Sequence, residues 1–293
     1  MTHDSSAVSR FNPERQVVIP PALLPNLPTL LGLPYDEGSS FARGAAAGPS
    51  AIRAALYSHA TNMWTEDGRD LSGTLQDAGD AAFSPGGDAL EEMQARVAAL
   101  LALPCIPICL GGDHTVTLPV LRAMHAAHGA FSVLHIDAHP DLYPDYEGDR
   151  YSHASPFARA MEEGLVAHLV QVGLRTINDV QRAQMTRFGV QVIDMPSWRA
   201  GARPHLEGPA YISIDLDGID PAFAPGVIHR EPGGLSSSEV VGILQSLTCR
   251  VLGADIVELA PARDPAEITA PLAAKLVKEV AALVLRSRWE TLR

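Results

Sequence analysis

The segment HIDAHPD, residues 135–141, sets Asp137, His139 and Asp141 at alternate positions directly after the apolar run FSVL. A strand has a side-chain period of two, so an extended backbone through this segment turns all three toward one point. Packed close, such groups repel or desolvate one another unless a cation lies between them. Two more strand ends carry the same chemistry. CIPICL is followed by GGDHT, in which Gly111 and Gly112 give a tight turn and present Asp113 and His114 behind it. AYISI runs into DLDGIDP, where Asp215 and Asp217 share a face by the same period of two. Taken singly, His114 reads as a surface or core histidine and the aspartates as loop caps; six such groups at three strand ends read as a site.

Together His114, Asp137, His139, Asp141, Asp215 and Asp217 offer two imidazoles and four carboxylates. Four negative charges balance two divalent cations. Oxygen-rich ligation with some imidazole suits Mn²⁺, with Fe²⁺, Co²⁺ or Ni²⁺ as alternatives, whereas a structural Zn²⁺ site prefers thiolates and fewer groups. Two ions about 3.5–4 Å apart that share a water lower its pKa toward neutrality, which serves hydrolysis of a poor electrophile.

The elements that must position these residues follow from periodicity. Strand-sized apolar runs occur at 29–34, 105–110, 131–137, 168–174, 190–195, 210–217 and 251–259. Helical patterns lie between them: SAIRAALYSH, ALEEMQARVAALLAL, TLPVLRAMHAAHG, PFARAMEEG, SSSEVVGILQSL and EITAPLAAKLVKEVAALVLRSR. Gly129 fits a helix C-terminus, and SSSE at 236–239 fits a capping box. Strand and helix alternating in this way predict an α/β fold with a mainly parallel sheet covered on both faces, whose functional groups gather at the carboxyl ends of the strands. Residues 1–25, rich in proline and charge, read as an irregular N-terminal arm, and 26–293 as a single domain.

Composition bounds the partners. Lys+Arg 22 against Asp+Glu 34 gives a net charge of −12, which argues against nucleic acid and favours a cationic substrate. No run reaches transmembrane length, and the polar start lacks an apolar signal region, so no membrane partner is expected. Cys105, Cys109 and Cys249 form no disulfide framework. Buried thiols in a reducing compartment follow, and with them the expectation of a cytoplasmic protein.

GGDHT, HIDAHPD and SIDLDGIDP resemble the three signature segments of the ureohydrolase family, the arginases, agmatinases and related guanidino-compound hydrolases. The similarity extends from LLGLPYDEGSSFARGAAAGPSAIRAAL through YEGDRYSHASPFARAMEEG to GADIVELAPARDPAEITAPLAAKLVKE, and DPAFAPGV, EPGGLS and AAKLVKE point to the plant-type arginase branch. The resemblance implies a three-layer arginase-like fold with an eight-stranded sheet, two Mn²⁺ per chain, and a homotrimer or homohexamer. It assigns His114 and Asp141 to one metal, His139 and Asp217 to the other, and Asp137 and Asp215 as bridges. His153 in YSHAS matches the family's proton-transfer histidine, and Glu258 in DIVELAP the acid that holds the guanidinium group. Asp141 is a plausible carrier of the attacking proton. Asp113, Asp220 and His135 are left as structural residues.

The substrate tail is read from a loop. Where agmatinases commonly carry a GTGTPEPGG-like stretch, this chain has GVIHREPGG, which puts His229 and Arg230 after the Asp215–Asp217 strand. A cationic group there attracts an α-carboxylate, so L-arginine, cleaved to L-ornithine and urea, is the expected substrate, with agmatine or another guanidino acid as alternative. Arg230 could equally pair with a neighbour such as Glu231. Zinc-dependent deacetylases share the sheet but use one metal and fewer aspartates, and a catalytically silent regulatory homologue would be expected to lose ligands, all six of which are present.

Overall fold

A computed structural model describes residues 23–289. The arm expected over 1–25 falls almost wholly outside the described residues. In chain order the strands are β1 (Pro28–Leu33), β2 (Gln76–Asp80), β3 (Ile106–Gly111), β4 (Phe131–Ile136), β5 (Val166–Val172), β6 (Gln191–Ile193), β7 (Ala210–Asp215) and β8 (Val251–Val257). The helices are α1 (Gly48–Leu56), α2 (Ala89–Leu101), α3 (Thr117–His128), α4 (Pro156–Glu162), α5 (Asp179–Phe188), α6 (Met195–Arg199), α7 (Ser237–Ser246) and α8 (Thr269–Trp289).

All eight strands join one sheet in the order β2-β1-β3-β8-β7-β4-β5-β6, and every pairing is parallel. Parallel sheets need cover on both faces, and β1, β3, β4, β7 and β8 are accordingly buried at every position. One face packs Ile52 and Leu56 of α1, Trp198 of α6 and the apolar sides of α7 and α8. The other packs Met93 and Val97 of α2, Val120 and Leu121 of α3, Phe157 of α4 and Met185 of α5. The capping box forms as read: Ser236 accepts from the Glu239 amide and Glu239 accepts from the Ser236 amide. Gly129 ends α3 at φ 73°.

Three elements had no apolar signature. β2 is QDAGD, an edge strand held by charge: Arg53 of α1 donates to Asp77 Oδ2 at 2.8 Å and also to Asp80. α5 is mostly polar, set by its ends, with Asn178 accepting from the Gln181 amide and Gly189 left-handed at the C-terminus. α6 is only five residues long, with Asp194 capping Ser197.

The strand order puts β3, β8, β7 and β4 side by side. Those four carry His114, Glu258, the Asp215–Asp217 pair and the 137–141 loop at their carboxyl ends. Close approach of two of these loops depends on Gly218, where a Cβ would lie 2.7 Å from Asp137 N and 2.8 Å from Asp137 Cα. Backbone cannot yield as a side chain can, so Gly218→Ala is expected to cost about 1–3 kcal/mol by forcing the loops apart. Thermal unfolding of the metal-free protein measures this; an unchanged midpoint would contradict the contact.

Candidate metal centre and active site

β4 ends at Ile136, and the backbone does not stay extended through the motif that follows. Asp141 is left-handed, with φ 51°. Convergence of Asp137, His139 and Asp141 therefore comes from a folded loop rather than from a strand period of two. Backbone amides set the carboxylates within it. Asp137 Oδ1 accepts from His139 N at 2.6 Å, Asp217 Oδ1 from Ala138 N at 3.2 Å, and Asp215 Oδ1 from Asp217 N at 2.8 Å.

His114, fully buried, opens a short 3₁₀ turn behind Asp113. Its Nδ1 lies 3.0 Å from Asp141 Oδ2, 3.1 Å from Asp215 Oδ2 and 3.3 Å from Asp137 Oδ2, and makes no hydrogen bond. His114 Nε2 is 3.0 Å from Ser213 Oγ, which donates to Asp255 Oδ1 at 2.6 Å. Since the hydroxyl proton goes to Asp255, the serine must accept from Nε2–H, so the proton that His114 gives up to a metal is the one on Nδ1, whose lone pair then faces the carboxylates. His139 Nδ1 is 3.1 Å from Asp217 Oδ2 and 3.4 Å from Asp137 Oδ1. Asp137 thus turns one oxygen to each imidazole. Its Oδ2 also accepts from His135 Nε2 at 2.7 Å, and His135 is fixed in turn by Gln171, whose amide donates to Nδ1 at 2.9 Å.

Without ions this cluster is electrostatically frustrated. Burial pulls His114 down, but Asp137, Asp141 and Asp215 hold it well above its ordinary value. His139 is raised by Asp217 and Asp137 against the same burial. Burial, then repulsion from Asp217 and Asp137, lifts Asp215 well above the carboxylate range. Asp217 is pushed up to about 7 by burial and by Asp137, with His139 opposing. A buried, unbonded imidazole nitrogen among carboxylates and a set of four acids with two imidazoles fit divalent cations. The two groups His114–His135–Asp137 and Asp137–His139–Asp217 each bring three such atoms together.

Beside the cluster opens a pocket of about 370 Å³, lined among others by Asp141, Tyr143, His153, Asn178, His229 and Glu258. Glu258, at φ 68°, ends β8 and accepts from His114 N at 2.9 Å through Oε1. Left-handed φ at a residue without a glycine's freedom costs on the order of 1–3 kcal/mol, and such residues cluster at functional sites. Burial raises the Glu258 carboxyl, but His153 and His114 more than offset this and lower it. His153 Nδ1 stands 3.7 Å from Glu258 Oε1 and its Nε2 2.9 Å from Ser40 Oγ. Burial lowers His153, yet Glu258, Asp141 and Asp113 raise it to about 9.

The model of the arginase family matches residues 28–282. "Arginase 1, mitochondrial" of Arabidopsis thaliana is 44% identical over 276 residues, covering 87% of this chain and 80% of its own. The solved arginase of Medicago truncatula superposes with a TM-score of 0.82 at 41% identity, over 88% of this chain and 87% of that one. An agmatinase of Neisseria gonorrhoeae is 36% identical over 86% of this chain and 85% of its own. The chain belongs to the arginase family. Its sheet and flanking layers are the arginase fold, as the three signature segments implied.

Two expectations need correction. A cytoplasmic location does not stand against the mitochondrial names of the Arabidopsis and Medicago relatives. Free thiols at Cys105, Cys109 and Cys249 are compatible with the cytosol and with organelle interiors alike, so they never distinguished the two. Arg230 does not offer a cation to the pocket either. Its Nε donates to Pro225 O at 2.7 Å and its Nη2 to Arg263 O at 2.8 Å, and it is not among the pocket-lining residues. His229 does line the pocket, stacked on His153 with ring centroids 5.2 Å apart. Burial and the neighbouring His153 and His139 lower its pKa, so it stands there as a neutral ring. Ser40, Tyr143, Asn178 and Gln181, which also line the pocket, were not singled out in the sequence because neutral hydrogen-bonding residues there have no distinguishing spacing.

Proposed function

We propose that the protein hydrolyses L-arginine to L-ornithine and urea, using two Mn²⁺ held by His114, Asp137, His139, Asp141, Asp215 and Asp217. The observation that carries this reading is Asp137, whose Oδ2 lies 3.3 Å from His114 Nδ1 and whose Oδ1 lies 3.4 Å from His139 Nδ1, one carboxylate serving two imidazole–aspartate groups. Two bound divalent ions would supply a nucleophile at neutral pH by acidifying a shared water. Glu258, buried and ionised, binds the guanidinium through charge-assisted hydrogen bonds and orients its carbon. Asp141 takes the proton released by attack. His153, protonated at neutral pH and anchored on Ser40, returns a proton to the departing amine and exchanges it with solvent along the pocket. Residues 26–293 act as one domain, and a homotrimer or homohexamer is part of the proposal.

Arginine is favoured by the higher identity to plant arginases and by Ser40, Asn178, Tyr143 and Gln181, neutral groups able to hydrogen-bond an amino-acid end. Agmatine is the second reading, supported by the lack of any lysine or arginine among the pocket-lining residues. Urea release from both compounds after Mn²⁺ loading tests the choice; agmatine turned over tenfold better would reverse it. Arg230→Ala is expected to leave the preference within about twofold of native, since a backbone-bound, exposed guanidinium contributes little to a ligand it does not meet. A larger change would put Arg230 back in the pocket.

Metal uptake carries a pH signature. In the metal-free protein His114, His139, Asp215 and Asp217 all have raised pKa values, so at neutral pH ions must displace protons from them. Mn²⁺ affinity is therefore expected to rise with pH through about 7, where Asp217 titrates. Calorimetric titration in two buffers of different ionisation enthalpy counts the protons released; equal heats in both would contradict the ligand set.

A further inference from the structure

Arg175 follows β5 and is half-buried behind the metal cluster, in the field of Asp217, Asp137, Glu231 and Asp220. It makes an ion pair with none of them. All five of its N–H groups go to backbone carbonyls instead. Nε donates to Glu231 O at 2.9 Å, Nη1 to Gly173 O at 3.0 Å and Gly218 O at 3.1 Å, and Nη2 to Asp217 O at 2.5 Å and Glu231 O at 2.6 Å. Its own amide donates to Ala138 O at 3.0 Å. One residue thereby ties three segments together: the 137–141 loop, the Asp217 turn, and the loop carrying His229 and Glu231.

A guanidinium gains most from carboxylates, which it grips with two parallel bonds. Here such a grip would take oxygens away from the cluster. Bonded to the Asp217 carbonyl, Arg175 fixes that residue's peptide while leaving its carboxylate to face His139. Space for the fork comes from Gly234, where a Cβ would lie 2.7 Å from Nη2 and 2.8 Å from Cζ. Asp220 pins the same loop by accepting from Gly233 N at 2.6 Å and Gly234 N at 3.1 Å.

We propose that Arg175 is a positioning residue that presets the His139–Asp217 half of the metal centre, so that the ion held there binds a site already formed. This rests on the two-metal reading above. Lysine at 175 keeps the charge but has three rotating donors and no planar fork, so it cannot span the three segments. The test is Mn²⁺ titration followed by electron paramagnetic resonance, which separates an isolated ion from a spin-coupled pair. Native protein should give the coupled spectrum at two equivalents. Arg175→Lys should bind one ion, at the His114–Asp141 half, as native does and require at least tenfold more Mn²⁺ for the coupled spectrum. Coupling at the native Mn²⁺ concentration, or equal weakening of both ions, would overturn the inference. If the lysine variant does not fold, Arg175→Gln carries the same test, because it keeps two planar N–H donors on a chain too short to reach all three segments. Native protein that never couples two ions would instead overturn the two-metal reading, and the inference with it.

Discussion

Glu258→Gln should lower kcat/KM for the guanidino substrate by roughly a thousandfold while Mn²⁺ content stays native. Glutamine keeps the size of the side chain and an oxygen able to accept the 2.9 Å bond from His114 N, so the turn at the head of β3 is preserved. What it removes is a negative charge placed to oppose a guanidinium that has left water, in a pocket whose other lining acids, Asp141, Asp215 and Asp217, belong to the metal cluster. Breaking a buried, hydrogen-bonded charge pair costs about 2–5 kcal/mol, and each 1.4 kcal/mol is a factor of ten. The variant also withdraws the main support for the raised pKa of His153, so burial should pull that histidine back down. In the metal-free protein the native His153 contributes stability that is fully present below about pH 6.5 and lost as pH rises through about 9; the glutamine variant should lack that slope. Steady-state kinetics with metal analysis decides the first claim. Activity within threefold of native would remove Glu258 from substrate recognition.

Asp215→Asn should have effects of opposite sign on function and on stability. Loss of a carboxylate that lies 3.1 Å from His114 Nδ1 and is repelled by Asp217 and Asp137 should reduce Mn²⁺ binding and bring activity to background, a fall of about four orders of magnitude or more if the ions supply the nucleophile. The metal-free variant should nevertheless be the more stable protein at pH 7. A carboxyl whose folded pKa lies above its unfolded value penalises folding once pH exceeds the unfolded pKa near 3.8, and the penalty grows until pH passes the folded value. The amide carries no such penalty and retains Oδ1 for the Asp217 amide. A rise of about 2–4 °C per kcal/mol relieved is expected in the metal-free melting temperature, vanishing near pH 3.8 and below. A metal-free variant that melts lower at pH 7 would contradict the frustration described for the cluster.

The metal centre was legible because its groups are of one chemical kind and sit at strand ends, where the apolar run before each marks the position. Their mutual orientation was not. The period-two reading of Asp137, His139 and Asp141 brought the right residues together for a reason the backbone does not follow, since Asp141 turns left-handed one residue after Pro140. Strands with apolar runs were read closely, whereas β2 was missed because this edge strand buries only Ala78 and has no apolar run, and α5 because its sequence is held by its caps. Arg230 drew attention as a charge near the motif, while Arg175 did not, although both spend their guanidinium on backbone carbonyls. Donors that go to carbonyls can lie opposite any residue type, so no spacing of side chains reveals them.

The order of strands also governs how such a chain comes off the ribosome. β1 pairs with both β2 and β3, and β5 with both β4 and β6, before any later segment is needed. β7 and β8 then fill the gap between the two triplets, pairing with β4 and β3 respectively. A growing chain of some two hundred residues is therefore expected to hold two small sheets with open inner edges, which are surfaces prone to pairing with other chains. Closure by the last two strands must span large sequence separations, so it should be the slow, exposed step of folding. Because Glu258 follows β8 and Asp215 ends β7, the same insertion that seals the sheet brings these two acids beside His114 and the 137–141 loop.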